Sequence, residues 1–489
     1  MGQILGLDIF FILNMLLAAS IIFFERKDPG ATWAWLMVVL FLPYIGFALY
    51  LWIGFTTKKR NAFVIKSQMD HDLFKDYAKT TFYADEIKDI QSRYSNSENI
   101  FNNPEWANFN GLVFLNFAAG LGFLCHNNTV DVFHGGSSKF DKMFDDILKA
   151  EKFIHLQYYI VRNDELGKKL IVLLTQKALE GVEVRLLIDC MGKPFQHKKM
   201  FEPLISAGGK ASVFLPRYFI RVNYRNHRKI CVIDGKIGYI GGMNIGKEYL
   251  GQSRRFGNWR DAHIRVCGNS VKELNLRFIM DWNYTHSALH QKVFLEDKYF
   301  PRMSDFDGVK MQVISSGPDT NWPNIRDGYI KMINEARRSI YIQTPYFVPD
   351  DSIFEMLKIS ALSGIDVKIM IPATPDHPFV YWAALSYLDA LVDAGVKCYK
   401  YHAGFVHSKL VLIDGQVASV GTANIDIRSF KLNFEINAFI YDKEKTMEFE
   451  RQFLCDVNEC VLMDREFFNR RGNWSKVKES ISRLLSPLL

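Results

Sequence analysis

The sequence predicts an α/β fold of two pseudo-symmetric repeats that form one functional unit, preceded by a hairpin of two transmembrane helices. Three observations lead to this prediction. Strands and helices alternate from about residue 126, the same order of segments occurs twice, and the first 60 residues hold two long apolar runs. Alternation of strands and helices favours an α/β sandwich. The predicted units are the hairpin at 1–60, a partly helical or interfacial connector at 61–125, the first repeat at 126–305 and the second at 306–489.

The hairpin is predicted from two apolar segments, residues 2–24 and 31–55, on either side of a charged turn. Each is long enough to cross the hydrocarbon core, which takes about 20 helical residues. A basic cluster at 58–60 follows the second segment. Since basic residues stay on the cytoplasmic side, we expect a multi-pass protein of the cell (inner or plasma) membrane with a cytoplasmic C-terminal part. A cleaved signal peptide is the alternative for the first segment, but that segment lacks a basic leading region.

The repeat is visible in two pairs of similar segments. A-E-K-F-I-H-L-Q-Y-Y, from Ala150, is echoed by A-R-R-S-I-Y-I-Q-T-P-Y, from Ala336. G-V-E-V-R-L-L-I-D, from Gly181, is echoed by G-I-D-V-K-I-M-I-P, from Gly364. The nearly continuous apolar run in the second pair is typical of a buried parallel strand. The echoes lie 186 and 183 positions apart, so a whole domain is duplicated, with too few copies for a solenoid.

One string in each repeat combines residue types that carry chemistry. H-R-K-I-C-V-I-D-G-K-I-G-Y-I-G-G-M-N begins at His227, and H-S-K-L-V-L-I-D-G-Q-V-A-S-V-G-T-A-N begins 180 positions later at His407. His and Lys at i and i+2 lie on one face of a strand, and Asp-Gly predicts a tight hairpin turn. Folding back over that turn brings the closing glycines and asparagine opposite the histidine and lysine of the same copy.

Each hairpin is therefore predicted to offer many hydrogen-bond donors, as a phosphate requires. Two copies around one phosphorus allow one imidazole to attack it and the other to protonate the leaving group, while lysines and asparagines stabilise the oxygens. The predicted catalytic residues are His227, Lys229, Asp234, His407, Lys409 and Asp414, with Asn244 and Asn424 on the phosphate. Asp261 and Glu435 are candidates to orient the histidines. Which carboxylate serves which histidine stays open, and a surface ion pair is the alternative for each.

The motif argues against a metal site, because a lysine stands where a second metal ligand would follow each histidine. The seven cysteines form no C-x-x-C pair and several lie in apolar runs, which predicts buried thiols in a reducing compartment. A net charge of +7 suits an anionic partner such as a phospholipid surface. Residues 469–489 mix basic and apolar side chains, which indicates either an amphipathic membrane-surface tail or a helix packed on the core.

The duplicated motif resembles the signature of the phospholipase D superfamily, and the chain as a whole is similar to membrane-bound bacterial cardiolipin synthases. Strings that carry this similarity include E-R-K-D-P between the apolar segments, Q-T-P-Y-F-V-P from Gln343, P-D-H-P-F-V-Y-W-A from Pro375 and the closing R-L-L-S-P-L-L. The resemblance implies two phospholipase D-like repeats forming one catalytic unit. It also implies a phosphatidyltransferase that joins two phosphatidylglycerol molecules through a phosphatidyl-histidine and releases glycerol, with His227 as nucleophile and His407 as acid and base. The resemblance implies no metal or organic cofactor.

Other functions stay open at this point. A hydrolytic phospholipase D, or another phosphatidyltransferase of the superfamily, would carry the same motif. A non-catalytic membrane protein that binds anionic lipids is a further alternative, although both motifs are intact. A nuclease does not need two membrane spans, so no nucleic-acid partner is expected.

Overall fold

The computed structural model describes residues 57–79, 109–120, 122–190, 194–214, 224–253, 255–286, 292–303 and 307–486, together with parts of the segment 12–50. Much of the two predicted membrane spans, at 2–24 and 31–55, lies outside the described residues. A short helix, α1, covers Pro29–Phe41 and overlaps the first part of the second span. No helix in the described part of the chain has both the length and the apolar character that a membrane crossing requires.

The strands form one large mixed sheet with two small side ladders. Those of the first half are β1 (Cys125–Phe133), β2 (Phe153–Tyr158), β3 (Glu183–Asp189), β4 (Lys210–Phe214), β5 (Arg225–Asn226), β6 (Ile230–Ile233), β7 (Ile237–Gly241), β8 (Trp259–Arg260) and β9 (His263–Gly268). Those of the second half are β10 (Val309–Ser316), β11 (Ser339–Gln343), β12 (Phe347–Val348), β13 (Asp366–Pro372), β14 (Lys397–Tyr401), β15 (Phe405–Val406), β16 (Leu410–Ile413), β17 (Val417–Gly421), β18 (Ile425–Asp426), β19 (Asn433–Ile440) and β20 (Cys460–Leu462).

The order of strands in the large sheet follows the predicted repeat. From the centre outward the first half contributes β1, β9, β7, β6, β2, β3 and β4, and the second half contributes β10, β19, β17, β16, β11, β13 and β14. β1 and β10 pair antiparallel at the junction, so the halves share one sheet. β2, β3 and β4 run parallel, as do β11, β13 and β14, as expected for strands joined by helical crossovers, and β20 adds an antiparallel edge strand beside β14. The prediction of an α/β fold with two similar halves is confirmed.

Helices cover both faces of this sheet. After α1 they are α2 (Thr57–Lys79), α3 (Asn110–Gly120), α4 (Gly136–Leu148), α5 (Glu165–Leu179), α6 (Pro194–Ser206), α7 (Ser270–Thr285), α8 (Asn324–Glu335), α9 (Asp351–Leu362), α10 (Pro378–Val392), α11 (Ile427–Lys431), α12 (Lys443–Val457), α13 (Arg465–Asn469) and α14 (Asn473–Leu484). In β3, Leu186 and Ile188 face one apolar cluster and Leu187 faces another. This coverage of both faces explains the nearly continuous apolar run that predicts a buried parallel strand.

Two remaining predictions concern the connector and the cysteines. The connector predicted at 61–125 as partly helical or interfacial contains most of α2 and all of α3, and its last residue, Cys125, already begins β1. All seven cysteines are free, and Cys125, Cys231 and Cys398 are buried as predicted. Cys455 is exposed, which corrects the prediction for that residue, because it lies on the outer face of the amphipathic helix α12.

Candidate active site

Each predicted motif forms a hairpin, β6–β7 in the first half and β16–β17 in the second. Asp234 and Gly235 have φ angles of 53° and 66°, and Asp414 and Gly415 have 56° and 66°. A type I′ turn requires positive φ at both central residues, and Asp-Gly supplies it with little strain. The predicted Asp-Gly turns are confirmed.

The motif aspartates bind the backbone of a neighbouring strand, and a catalytic role for them stays a prediction. The carboxylate of Asp234 accepts hydrogen bonds from three consecutive backbone N–H groups at the start of β2, at 2.7–2.9 Å. Asp414 accepts three from the start of β11 in the same way, at 2.7–2.8 Å. Each aspartate lies at the turn, separated by a whole strand from its histidine. The two carboxylates therefore fix the neighbouring strand and face away from the reacting groups.

His227 is positioned by the second half of the chain. The short strand β5 pairs parallel with the first residues of β19, and the His227 N–H donates to the carbonyl of Phe434 at 2.9 Å. The imidazole Nδ1 lies 3.0 and 3.1 Å from the carboxylate oxygens of Glu435 and 3.1 Å from the carbonyl of Thr422. All three neighbours are acceptors, so Nδ1 carries the proton. The lone pair of neutral His227 is then on Nε2.

His407 is positioned by the first half in the corresponding way. Strand β15 pairs parallel with β8, and the His407 N–H donates to the carbonyl of Arg260 at 2.7 Å. Its Nδ1 lies 2.8 Å from Oδ2 of Asp261. The sequence left open which carboxylate serves which histidine. In the structure each histidine is bound by the carboxylate of the other repeat.

The two motif lysines are buried beside the histidines. Lys229 Nζ donates to the carbonyl of His227 at 2.6 Å, and Lys409 Nζ donates to the carbonyl of His407. Burial, with further repulsion from Lys409, lowers the pKa of Lys229 to about 7, and burial lowers the pKa of Lys409 to about 8. Burial also lowers the pKa of both histidines, and both lysines lower them further. Four groups that can carry positive charge therefore converge at one place, which an anion would stabilise.

The two orienting carboxylates differ in pKa. Burial alone would raise the pKa of Glu435, but the adjacent His227 and Lys229 hold it below its usual value. Burial raises the pKa of Asp261 to about 7, more than the nearby lysines lower it. Their surroundings therefore favour the ionised form of Glu435 more strongly than that of Asp261. The site is pseudo-symmetric in geometry but not in electrostatics.

The two motif asparagines also differ. Asn244 accepts from the Ile160 N–H at 3.2 Å and donates to the hydroxyl of Tyr249 at 2.9 Å, so its amide group supports a loop of its own repeat. Asn424 is buried, and its Oδ1 has no hydrogen-bond partner in the described part of the chain. A contact of Asn424 with phosphate stays a prediction, whereas the structure gives Asn244 a supporting role.

Aromatic rings line both histidines, which the sequence interpretation missed. The ring of Tyr159 meets that of His227 edge-on at 5.1 Å. Trp259 and Tyr249 lie 5.5 and 6.0 Å from His407. These rings exclude water and lower the local dielectric, which strengthens the electrostatic interactions of the site. Tyr159 directly follows β2 and ends the first of the echoed segments. Its place in the repeat was therefore the feature of the sequence that could have pointed to it.

A buried ion pair holds the first motif in place. Arg228, between His227 and Lys229, donates to Asp281 of α7 at 2.6 Å and to the carbonyl of Glu435 at 3.1 Å. Gln157, at the end of β2, donates to the same carboxylate at 2.7 Å. Asp281 therefore holds Arg228 in place, and Arg228 in turn connects the backbone beside His227 to the backbone of Glu435.

The second half has a corresponding arrangement, except that its arginine comes from the first half. Asp456 of α12 accepts from Gln343 at 3.0 Å and from Arg260 at 2.7 Å. The arginine comes from the first half, beside Asp261, and its carbonyl accepts from His407. Gln157 and Gln343 occupy equivalent positions in the echoed segments. The repeat could therefore have indicated that both glutamines have the same supporting role.

Comparison with known sequence families agrees with the duplicated motif. The family described as "Cardiolipin synthase, PLD-like domain" matches residues 143–257 and 329–457, and the family described as "Phospholipase_D-nuclease N-terminal" matches residues 12–54. Among solved structures, the crystal structure of phosphatidylserine synthase from Haemophilus influenzae Rd KW20 has a TM-score of 0.58 at 13% identity. That similarity covers 74% of this chain and 95% of the other, and it supports the fold.

Curated relatives are similar over nearly their whole length. Cardiolipin synthase of Oceanobacillus iheyensis is 46% identical, with 99% of each chain covered. Major cardiolipin synthase ClsA of Bacillus subtilis is 45% identical over 99% of this chain and 98% of the relative. The agreement extends from the N-terminal segment through both halves of the site. The chain belongs to the bacterial cardiolipin synthase family of the phospholipase D superfamily.

Proposed function

We propose that this chain makes cardiolipin from two molecules of phosphatidylglycerol in two displacements at one phosphorus. First, Nε2 of His227 attacks the phosphorus of the donor lipid and the bond to the headgroup glycerol breaks, while His407 protonates the departing oxygen. Next, a glycerol hydroxyl of the second lipid, deprotonated by His407, attacks the same phosphorus and the bond to His227 breaks. The products are cardiolipin and one free glycerol.

The observation that carries this proposal is the reciprocal contact between the halves, His227 with Glu435 and His407 with Asp261. A nucleophilic imidazole becomes positively charged when it binds phosphorus, so an ionised carboxylate on its other nitrogen favours attack. The depressed pKa of Glu435 supplies that ionised carboxylate. This supports His227 as the nucleophile.

His407 is suited to the acid and base role for a related reason. A proton-transfer group works best when its pKa is close to the working pH. The pKa of Asp261 is raised to about 7, so the His407–Asp261 pair gains and loses a proton near neutrality. The pair can therefore give a proton to glycerol in the first step and take one from the acceptor lipid in the second.

The lysines supply the charge stabilisation. A phosphodiester in the site brings negative charge to Lys229 and Lys409, which raises their pKa and keeps both ammonium groups protonated. Their remaining N–H donors are available for the phosphoryl oxygens, which gain charge in the transition state. We further propose that the apolar segments 2–24 and 31–55 form a membrane hairpin that holds the catalytic part at the cytoplasmic face of the bilayer that contains its lipids.

The proposal is tested by product analysis with the full chain reconstituted in vesicles. Phosphatidylglycerol carries one label in an acyl chain and another in the headgroup glycerol, and His227→Ala serves as the inactive control. Acyl label in cardiolipin, with one glycerol released per cardiolipin formed, supports the proposal. Acyl label in phosphatidic acid would indicate a hydrolase, and the absence of any product would indicate a lipid-binding protein.

A further inference from the structure

The C-terminal helix α14 has its apolar side facing outward. Trp474 is 70% exposed, Ile481 51% and Leu484 66%, and Val477 lies between them. The polar Glu479 and Ser482 are instead buried against the protein. A helix packed on a core normally buries its apolar stripe. The sequence left open whether residues 469–489 form a helix packed on the core. Such packing explains how α14 is attached, but it does not explain why the apolar residues of α14 face outward.

The attachment of α14 is specific and polar. Arg471 forms ion pairs with Glu479 and with Asp389 of α10. The hydroxyl groups of Ser486 and Tyr387 lie 3.1 Å apart. These contacts use the polar side of the helix, so the outward direction of the apolar stripe is fixed by the fold.

Lysines flank the stripe on its two sides. At 100° per residue, Lys478 falls on one flank and Lys476 on the other, whereas Arg483 is turned toward α10, with its guanidinium 4.7 Å from the ring of Tyr387. Glu479 is the one carboxylate of α14, and it is buried and paired with Arg471. The exposed charges of the helix are therefore all positive. An apolar stripe between basic borders matches an anionic bilayer surface, because the stripe enters the acyl boundary while the ammonium groups stay among the phosphates.

The stripe continues onto α10, whose start lies near the active site. Lys478 Nζ lies 5.2 Å from the ring of Trp382 and 5.9 Å from that of Trp474. The ring of Phe379, half-exposed, meets that of Trp382 at 5.4 Å. Just before α10, Asp376 accepts from Tyr346 and raises the pKa of Lys409, which burial lowers. The aromatic surface therefore leads from α14 toward the catalytic groups.

We infer that this surface, formed by Phe379, Trp382, Trp474, Val477, Ile481 and Leu484, docks on the anionic bilayer. The inference deepens the proposed function, but membrane contact can be measured independently of catalysis. Apolar burial supplies the insertion, and each basic side chain near an anionic surface strengthens partitioning about fivefold.

The first test measures contact directly in the full chain. Ile481→Cys is labelled with an environment-sensitive nitrobenzoxadiazole dye in a Cys455→Ser background, since Cys455 is the exposed cysteine. Val172→Cys, at a 65% exposed apolar position on α5, is the matched control. In vesicles of phosphatidylglycerol and phosphatidylcholine we expect a blue shift at residue 481 and quenching by a nitroxide on the lipid acyl chains, with neither at residue 172. An unquenched, water-like dye at residue 481 would overturn the inference, as would shielding that depends on protein concentration, which indicates a second copy as the occupant.

The second test separates docking from folding. The double variant Ile481→Asp/Leu484→Asp should turn over phosphatidylglycerol in vesicles about fivefold more slowly or worse, because inserting two carboxylates into the interface opposes docking. It should turn over a short-chain, monomeric phosphatidylglycerol at the rate of the unaltered protein. Equal losses on both substrates would overturn the inference. Absence of any activity in the unaltered protein would contradict the proposed function and leave the dye measurement to decide on docking.

Discussion

Nδ1 of His227 lies 3.0 Å from Oε2 of Glu435, a carboxylate 208 positions later in the chain and in the other repeat. The equivalent contact joins His407 to Asp261 across 146 positions. Neither repeat by itself contains a histidine with its orienting carboxylate. Both contacts lie beside short strand pairs that join the two repeats, β5 with β19 and β15 with β8.

Removal of the two carboxylate charges should affect the two steps differently. Glu435→Gln should lower the rate of phosphohistidine formation about 100-fold or more, because the positively charged adduct loses its counter-ion. Asp261→Asn should slow both formation of the adduct and its transfer to the acceptor lipid, because His407 transfers a proton in each step. Rapid-quench measurement of labelled adduct and product checks both rates, with Glu466→Gln, an exposed carboxylate, as the control. Unchanged breakdown of the adduct in Asp261→Asn would contradict the role proposed for the His407 pair.

The histidines themselves should separate formation of the intermediate from turnover. His227→Ala should form no covalent adduct with labelled phosphatidylglycerol, because it lacks the nucleophile. His407→Ala should form the adduct slowly and then stop. Acid quenching followed by peptide mapping identifies the modified residue. A phosphatidyl group found on His407 in the His227→Ala protein would reverse the assignment.

The motif aspartates should contribute to stability and not to chemistry. Asp414→Ala removes the acceptor of three backbone N–H groups and places alanine at a positive φ, so we expect a loss of about 3 kcal/mol in the free energy of unfolding. Denaturant unfolding measures it, with Asp145→Ala, an exposed aspartate on α4, as control. The turnover rate per correctly folded active site, counted by adduct titration, should stay near that of the unaltered protein. A large fall in that rate would restore a catalytic role to Asp414.

Anion binding by the free enzyme should weaken as pH rises. Protonated Lys229 and Lys409 attract a phosphate analogue, and their pKa values are lowered to about 7 and about 8. Each lysine therefore binds the anion below its pKa and loses that attraction above it. The inhibition constant of tungstate should rise as pH passes about 7 and again as it passes about 8. Lys229→Arg, whose charge persists, should lose the lower of the two steps, and a constant inhibition across this range would contradict the prediction.

A buried charge network beneath the first motif should be sensitive to the removal of a single member. Lys66 of α2 lies 2.6 Å from Asp319, 2.7 Å from Asp70 and 3.1 Å from Asp281, which also binds Arg228. Lys66→Met should cost about 3–5 kcal/mol of unfolding free energy, because it leaves buried carboxylates without their cation. The double variant Lys66→Met/Asp319→Asn should recover part of that loss. Strictly additive effects in denaturant unfolding would show that the two groups do not act as a pair.

The sequence predicted which residues form the site, but not which carboxylate contacts which histidine. Residue type and spacing predicted both histidines, both lysines and the Asp-Gly turns, because a hairpin is local and its register follows from the turn. Asp261 and Glu435 were recognised only as candidates, since long-range strand pairing decides which histidine each one meets. The same local pattern predicted catalysis for Asp234 and Asp414, although their carboxylates bind backbone amides of the neighbouring strand.

The sequence by itself determined the duplicated fold, the two hairpins that carry the histidines and lysines, and the family, because these depend on periodicity, turn chemistry and spacing along the chain. Only the tertiary structure decided that each histidine contacts a carboxylate of the opposite repeat, that the pKa of Glu435 is lowered while that of Asp261 is raised, and that the apolar side of α14 faces outward. These features depend on which surfaces of distant segments are buried together. Burial and the resulting proximity of charges set the pKa values and the exposed faces, and no local pattern encodes them.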